Sequence, residues 1–174
     1  GSGGYCIPLS SQYVLQNVKN KKNLTLLRET IKTDKLINLH IARSLIKKGF
    51  KKIGVLGLYY KGNLKVSILS PIIPFVKELK KNNINVKVFD PYFSNEEINN
   101  ILGVKSFNYP DDLNQFDCLI LAVDHDIFKR NTKLVFKKLK NVKYILDNNG
   151  VWEKMQNKLH KNNYQLSGNK NWVI

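Results

Sequence analysis

Four short apolar runs, each separated from the next by a polar or amphipathic stretch, constrain this chain more than any other feature. They are "KKIGVLGL" (51–58), "INVKVFDP" (84–91), "FDCLILAV" (116–123) and "VKYILD" (142–147). Each has the length of a strand, and near-continuous apolar character is what strands covered on both faces require. The intervening segments read as helices. Ser70-Pro71 supplies a cap and a first-turn proline ahead of Ile72, Ile73, Phe75, Val76 and Leu79. Ser94 and Glu97 stand at capping-box spacing, and 127–139 and 151–161 are also read as helical. "YQLSG" closes the series as a last short strand. Such alternation predicts an α/β fold, a Rossmann-like doubly wound parallel sheet. Ligands of these sheets sit beyond the carboxyl ends of the strands, here the loops 57–70, 90–93, 124–128 and 147–152.

Ahead of the sheet, residues 1–15 read as a glycine-rich loop leading into an apolar-polar stretch, followed by the polar "NVKNKKN". From about 24 to 48 the pattern is that of a long helix. Leu36, Ile37, Ile41, Leu45 and Ile46 recur at helical spacing, and Gly49 is a natural stop. A boundary near Phe50 separates residues 1–50 from an α/β domain at 51–174. No internal repeat is visible.

Composition narrows the function classes. The chain has 174 residues and a net charge of +16, almost all of the positive charge from lysine. Readers of bases and phosphates favour the planar fork of arginine, and these lysines are scattered, so a solvated basic surface is expected rather than a nucleic-acid site. A basic polyanion-binding domain is the reading set aside on that ground. No apolar run approaches the roughly 20 residues of a membrane span, and no secretory leader is read, so a cytoplasmic protein is expected. Cys6 and Cys118 have no metal-ligand spacing, and no metal is expected. Cys118 falls inside an apolar strand, which leaves Cys6 as the candidate for thiol chemistry.

Taken singly, the chemical candidates stay open. "GVLGLYYKG" lacks the G-x-G-x-x-G spacing of a dinucleotide-binding turn, and Gly57 alone reads as a strand-end turn. "GSGGYC" fits either a linker followed by an incidental cysteine or a backbone cradle around a nucleophile. His125 in "DHD" is a loop histidine or a base, with flanking carboxylates expected to orient its ring and raise its pKa. No Ser-His-Asp set or phosphate-binding P-loop can be assembled.

In order, these fragments resemble one family, the nucleotide-sugar dehydrogenases. "GSGGYCIP" is similar to that family's G-x-G-G-x-C-x-P catalytic loop, with Cys-Ile-Pro closest to the UDP-N-acetylmannosamine branch. "VLGLYYKGN" resembles its V-x-G-L-x-F-K stretch, Ser70-Pro71 falls at its "ESP", "VKVFDPY" at its "V-x-x-Y-D-P", and "CLILAVDHDIFK" at its "A-x-x-x-x-T-x-H-x-x-F". "YILDNNGVW" resembles the strand ending in Asp-x-Arg.

The resemblance implies a catalytic-cysteine loop and central dimerisation helix at 1–50 and a UDP-sugar-binding C-terminal domain at 51–174. The NAD-binding Rossmann domain would lie outside the chain. It implies an NAD-dependent UDP-sugar 6-dehydrogenase in polysaccharide precursor synthesis, a homodimer formed through the helix, with Cys6 as the covalent catalyst. Gly3, Gly4, Tyr60 and Lys61 take substrate-binding positions. Ser10 stands where the family has an assisting aspartate, and Ile68 and Asn149 stand where it has arginines, Asn149 on the cofactor side. These three exchanges remove charge, and they also fit a UDP-sugar-binding or dimerisation module with weakened catalysis.

Overall fold

The structure, a computed structural model, describes residues 2–167. Gly1 and the end of "YQLSG" beyond Ser167 lie outside the described residues. Five parallel strands form one sheet in the order β2-β1-β3-β4-β5. They are β1 (Lys52–Leu56), β2 (Asn85–Phe89), β3 (Cys118–Leu121), β4 (Tyr144–Asp147) and β5 (Tyr164–Leu166). Ile53 lies beside Val86 on one side and Cys118 on the other, and Cys118 lies beside Tyr144. The chain runs outward from β1 to β2, then crosses back to β3, so the order reverses between β1 and β3. That reversal is the crevice where doubly wound sheets bind ligands.

The strands β1, β3 and β4 are buried on both faces, and alternate residues feed two cores. On one face Ile53, Val55, Ile120 and Leu146 meet Leu45, Phe75, Leu79 and Ile98. These come from α2 (Thr25–Lys47), α3 (Ile72–Lys81) and α4 (Asn95–Leu102). On the other face Leu119, Leu121 and Ile145 meet Phe116, Phe128, Val135 and Trp152. Period-2 alternation thus explains the unbroken apolar runs, since every second residue serves a different layer.

The helix signals hold at their starts. Ser94 accepts from the Glu97 amide while Glu97 accepts from the Ser94 amide, closing the capping box of α4. The Ser70 hydroxyl accepts from the Ile72 amide and donates to the Leu58 carbonyl, tying the start of α3 to the end of β1. Gly57 terminates β1 with φ +100°, as its strand-end reading requires.

Three local expectations are corrected. Residues 1–15 are a loop only as far as Tyr5, because α1 spans Cys6–Asn17. The stretch 127–139 is two short helices, α5 (Asp126–Lys129) and α6 (Thr132–Lys137). They are interrupted at Asn131, which takes φ 48° in the left-handed region that asparagine tolerates. Residues 151–161 form 3-10 turns instead of an α-helix. Trp152 is the cause: its backbone N–H donates to Asp147 and its indole N–H to the Phe128 carbonyl, which turns the chain back across the sheet edge.

No helix among the described residues is long and apolar enough to cross a membrane.

Candidate active site at the carboxyl edge

Two structures meet at the carboxyl edge. One is the turn after β1, carrying Tyr59, Tyr60 and Lys61. The other is the glycine loop ahead of α1. A methyl group added at Gly3 would stand 2.7 Å from the Tyr60 ring, and one at Gly4 would stand 2.8 Å from it. Gly4 also has φ +79°. Only residues without a side chain let the loop lie against that ring, so the glycines are a packing requirement. The loop is also fastened to α2, because the Ser2 amide and hydroxyl both donate to the Asp34 carboxylate, at 2.6 and 2.8 Å.

Cys6 begins α1 and is exposed. Ser10 lies one turn later, four residues on, and therefore on the same side of the helix. α1 has no buried residue, so it holds both side chains at the surface. Tyr60 is 43% exposed, and Lys61 beside it is exposed. Tyr59 turns inward and is buried, and its ring meets that of Tyr60 edge-on at 4.3 Å. Burial first, then the Tyr60 hydroxyl, raises the Tyr59 pKa and keeps its phenol protonated.

The turn after β1 is held by the turn after β3. The Gly62 amide donates to Asp124 at 3.2 Å, the Asn63 amide to Nδ1 of His125 at 2.9 Å, and the Asp126 amide to Oδ1 of Asn63 at 3.1 Å. Nε2 of His125 faces Oδ2 of Asp90 at 3.1 Å. The Asp90 carboxylate also accepts from the Leu58 and Tyr92 amides. This corrects the expectation for His125. Its ring is oriented by Asp90, 35 residues away, and by a backbone amide, while the flanking carboxylates point to other partners. His125 is fully buried, so it is a structural clamp.

Asn149 is exposed in the turn after β4, its amide donating to Asp147. Ile68, at the position of a family arginine, is 46% exposed on the β1–α3 loop. The structure therefore brings Gly3, Gly4 and Tyr60 into contact, sets Lys61 beside them, and places Cys6 and Ser10 on the adjoining helix. Asn149 sits on another strand end of the same edge. Cys118 is buried, and burial, with Asp117 second, pushes its thiol pKa well up. Among the described residues no group of three His, Cys, Asp or Glu side chains could hold a metal ion.

Asn38, Asp34, Tyr59 and Asp90 escape sequence reasoning. Asn38 had a usable signal, since it is a polar residue on the helical face that also carries Ile41 and Leu45. It lines a cavity of about 60 Å³ together with Tyr59, Tyr60, Phe75, Ala122 and Asn148.

A doubly wound sheet with a cysteine-bearing glycine loop docked on its ligand edge defines a nucleotide-type α/β domain. Residues 54–154 match the UDP-binding domain model of the UDP-glucose/GDP-mannose dehydrogenase family, and the chain belongs to that family. It is 29% identical over 170 residues to a UDP-N-acetyl-D-mannosamine dehydrogenase of Methanocaldococcus jannaschii, covering 88% of this chain and 36% of that protein. A Pseudomonas aeruginosa UDP-N-acetyl-D-glucosamine 6-dehydrogenase is 26% identical, covering 83% of this chain and 36% of that protein. Among solved structures, a dehydrogenase of NDP-N-acetyl-D-galactosaminuronic acid from Methanosarcina mazei shares the fold with a TM-score of 0.73 at 16% identity. That match covers 96% of this chain and 38% of the other. The chain thus spans little more than a third of the relatives it matches.

Proposed function

We propose that this chain is the cysteine-bearing, UDP-sugar-binding part of an NAD-dependent UDP-sugar 6-dehydrogenase of the UDP-N-acetylmannosamine or UDP-glucose type, serving polysaccharide precursor synthesis. The observation that carries it is the packing of Gly3 and Gly4 on Tyr60. It sets the loop holding Cys6 beside the turn holding Lys61, so a nucleotide sugar can meet a cation and a nucleophile together. Lys61 is the counter-ion for the diphosphate, and Tyr60 covers the sugar.

NAD, where bound, accepts the hydrides removed from C6 of the sugar. The residues described here do not fit its pyrophosphate. The turn after β1 lacks the glycine spacing, Pro71 and Pro74 have no N–H to offer, and the Ser70 hydroxyl already occupies the Ile72 amide. The cofactor is therefore assigned to the part of the relatives that this chain does not span, with Asn149 the residue of this chain on the cofactor side.

The chain's own chemistry is covalent capture. The Cys6 thiolate adds to the C6 aldehyde, forming a C–S bond, and the carbonyl oxygen takes a proton to give a thiohemiacetal. The oxyanion is assigned to the amides of Cys6 and Ile7 in the first turn of α1, since Pro8 has no N–H and the Leu9 amide already donates to the Tyr5 carbonyl. Once C6 has reached the thioester level, water adds, the C–S bond breaks, and the carboxylate leaves while the thiol regains its proton. Ser10 supplies a hydroxyl near that water in place of a carboxylate.

The test is to supply the chain with its NAD-binding portion and follow NADH from UDP-sugars. Two NADH per sugar are expected, with Cys6→Ser stopping the sequence before the carboxylate. No NADH from any UDP-sugar overturns the enzyme reading. A second reading, a UDP-sugar-binding module with weakened catalysis, is favoured by Ser10, Ile68 and Asn149. Under it Cys6 alkylates no faster than a free thiol with ligand bound.

A further inference from the structure

Lysines that read as scattered in the sequence are gathered in space. In a parallel sheet every strand starts at one edge, and a helix returning across a face ends at that same edge. Here α2 ends at Lys47, ahead of β1, and α3 ends at Lys81, ahead of β2. β1 is entered through Lys51 and Lys52, and the chain passes from α6 to β4 through Lys140 and Lys143. The strand starts lie side by side. The Asn85 amide donates to the Lys51 carbonyl, the Asp117 amide to the Lys52 carbonyl, and the Lys143 amide to the Asp117 carbonyl. These lysines are all exposed, and they crowd the amino edge, the end of the sheet opposite the candidate site.

Structural duties account for other lysines at this edge but not for these. Lys80 donates to the Leu102 and Gly103 carbonyls, Lys48 lies over the Tyr144 ring, and Lys138 pairs with Asp111. Lys47, Lys51, Lys52, Lys81, Lys140 and Lys143 are in no ion pair among the described residues. Lys47 and Lys81 complement the negative ends of their helices. Lys51, Lys52, Lys140 and Lys143 lie outside every helix and have no such role. The carboxylate in the row of strand starts, Asp117, accepts from the Lys51 and Lys52 amides at 2.9 and 3.1 Å. Asp90, Asp124, Asp126 and Asp147 follow the strands and stand at the other edge. The domain is therefore polarised, and self-repulsion among the unanswered lysines is relieved by an anionic partner.

We propose that the amino edge docks on an anionic bilayer surface and leaves the carboxyl edge, with the Cys6 loop, open to solvent. A plane of headgroups fits this edge better than a nucleic acid does. The unpaired cations are lysines, without the arginine fork that reads phosphates and bases. The exposed aromatic rings Tyr5, Tyr60 and Tyr92 belong to the carboxyl edge and Tyr13 to α1, so no base-stacking platform stands beside these lysines among the described residues. The charges also come from both layers, α2 and α3 packing on one face of the sheet and α6 on the other. They form a broad patch, suited to a surface, and not a single file along a strand. Lysines held near anionic headgroups are attracted without any specific contact. The proposal stands independently of the UDP-sugar reading.

The test is co-sedimentation of the chain with vesicles of phosphatidylcholine alone, or containing about one third phosphatidylserine, at about 0.1 M salt. Binding to the anionic vesicles only is expected, weakened at least about tenfold by about 0.5 M salt. Each lysine near such a surface adds roughly fivefold. Lys51→Gln, Lys52→Gln, Lys140→Gln and Lys143→Gln together should therefore weaken binding at least about tenfold. A control takes the same number of exposed cations from the other end of α2, about 22 Å or more from Lys47 along the helix. It carries Lys19→Gln, Lys22→Gln, Arg28→Gln and Lys32→Gln, and it should lose less than about threefold. If the amino-edge variant fails to fold, Lys140→Gln with Lys143→Gln, outside every strand and helix, should still cost at least about fivefold. No binding to anionic vesicles, or equal losses in variant and control, overturns the proposal. Tighter binding to a DNA duplex than to the vesicles also overturns it and makes the edge a nucleic-acid surface.

Discussion

Nε2 of His125 lies 3.1 Å from Oδ2 of Asp90, both side chains fully buried, at the point where the loops after β1, β2 and β3 converge. Because the Asn63 amide donates to Nδ1, the ring hydrogen sits on Nε2 and is donated to Asp90. The pair is thus a single junction. Asp90 holds Leu58 and Tyr92 by their amides, and His125 holds Asn63, two residues past Lys61.

Removing the junction should be expensive. Asp90→Ala deletes one acceptor group serving two amides and a ring nitrogen, and leaves the Leu58 amide and the His125 ring buried without that partner. The expected loss is about 3 kcal/mol in urea unfolding. A loss below about 0.5 kcal/mol would show that the loops are held by other contacts.

Glu97 carries an acid-dependent contribution. The Lys65 ammonium first, then the Ser94 amide, hold its carboxyl below the usual range. A depressed folded-state pKa means stability that is full above the unfolded value, about 4.3, and lost as pH falls through the folded value. The native Glu97 carboxyl should therefore titrate below about 4.3 by NMR, and Glu97→Gln should remove this part of the acid sensitivity. A normal or raised midpoint would contradict the Lys65 contact at 2.6 Å.

The two thiols should separate cleanly. Cys6 is exposed, whereas Cys118 is at 0% exposure in β3 with its pKa pushed up. A disulfide reagent should modify one thiol promptly in the native chain and the second only on unfolding. Cys6→Ser should abolish the prompt phase. Prompt reaction of both would place Cys118 outside the core.

The layers of this molecule were legible to different degrees. Strands β1, β3 and β4 were readable because burial on both faces writes itself as continuous apolar runs, the partly buried β2 and β5 because they follow in the same alternation, and the α4 capping box because it is local. The α1 start at Cys6 was hidden by glycines whose role is contact with Tyr60, 56 or more residues away. The helix read at 151–161 failed for a similar reason, since Trp152 answers to Asp147 and Phe128 across the edge. His125 was noticed, but its partner was sought next door when it lay on another strand. Asn38 has no local signature beyond being polar on an apolar face. Propensity and periodicity report neighbours in sequence, and a site assembled from strand ends is made of neighbours in space.

The most direct test of the account is to titrate UDP into the isotope-labelled chain and follow backbone amide shifts. The account predicts saturable shifts concentrated at Tyr60–Asn63 and in the Gly3–Cys6 loop, and an affinity at least tenfold weaker in Lys61→Ala, the scale of a lost charge-assisted contact. Absence of saturable shifts, or shifts confined to residues away from the carboxyl edge, would contradict it.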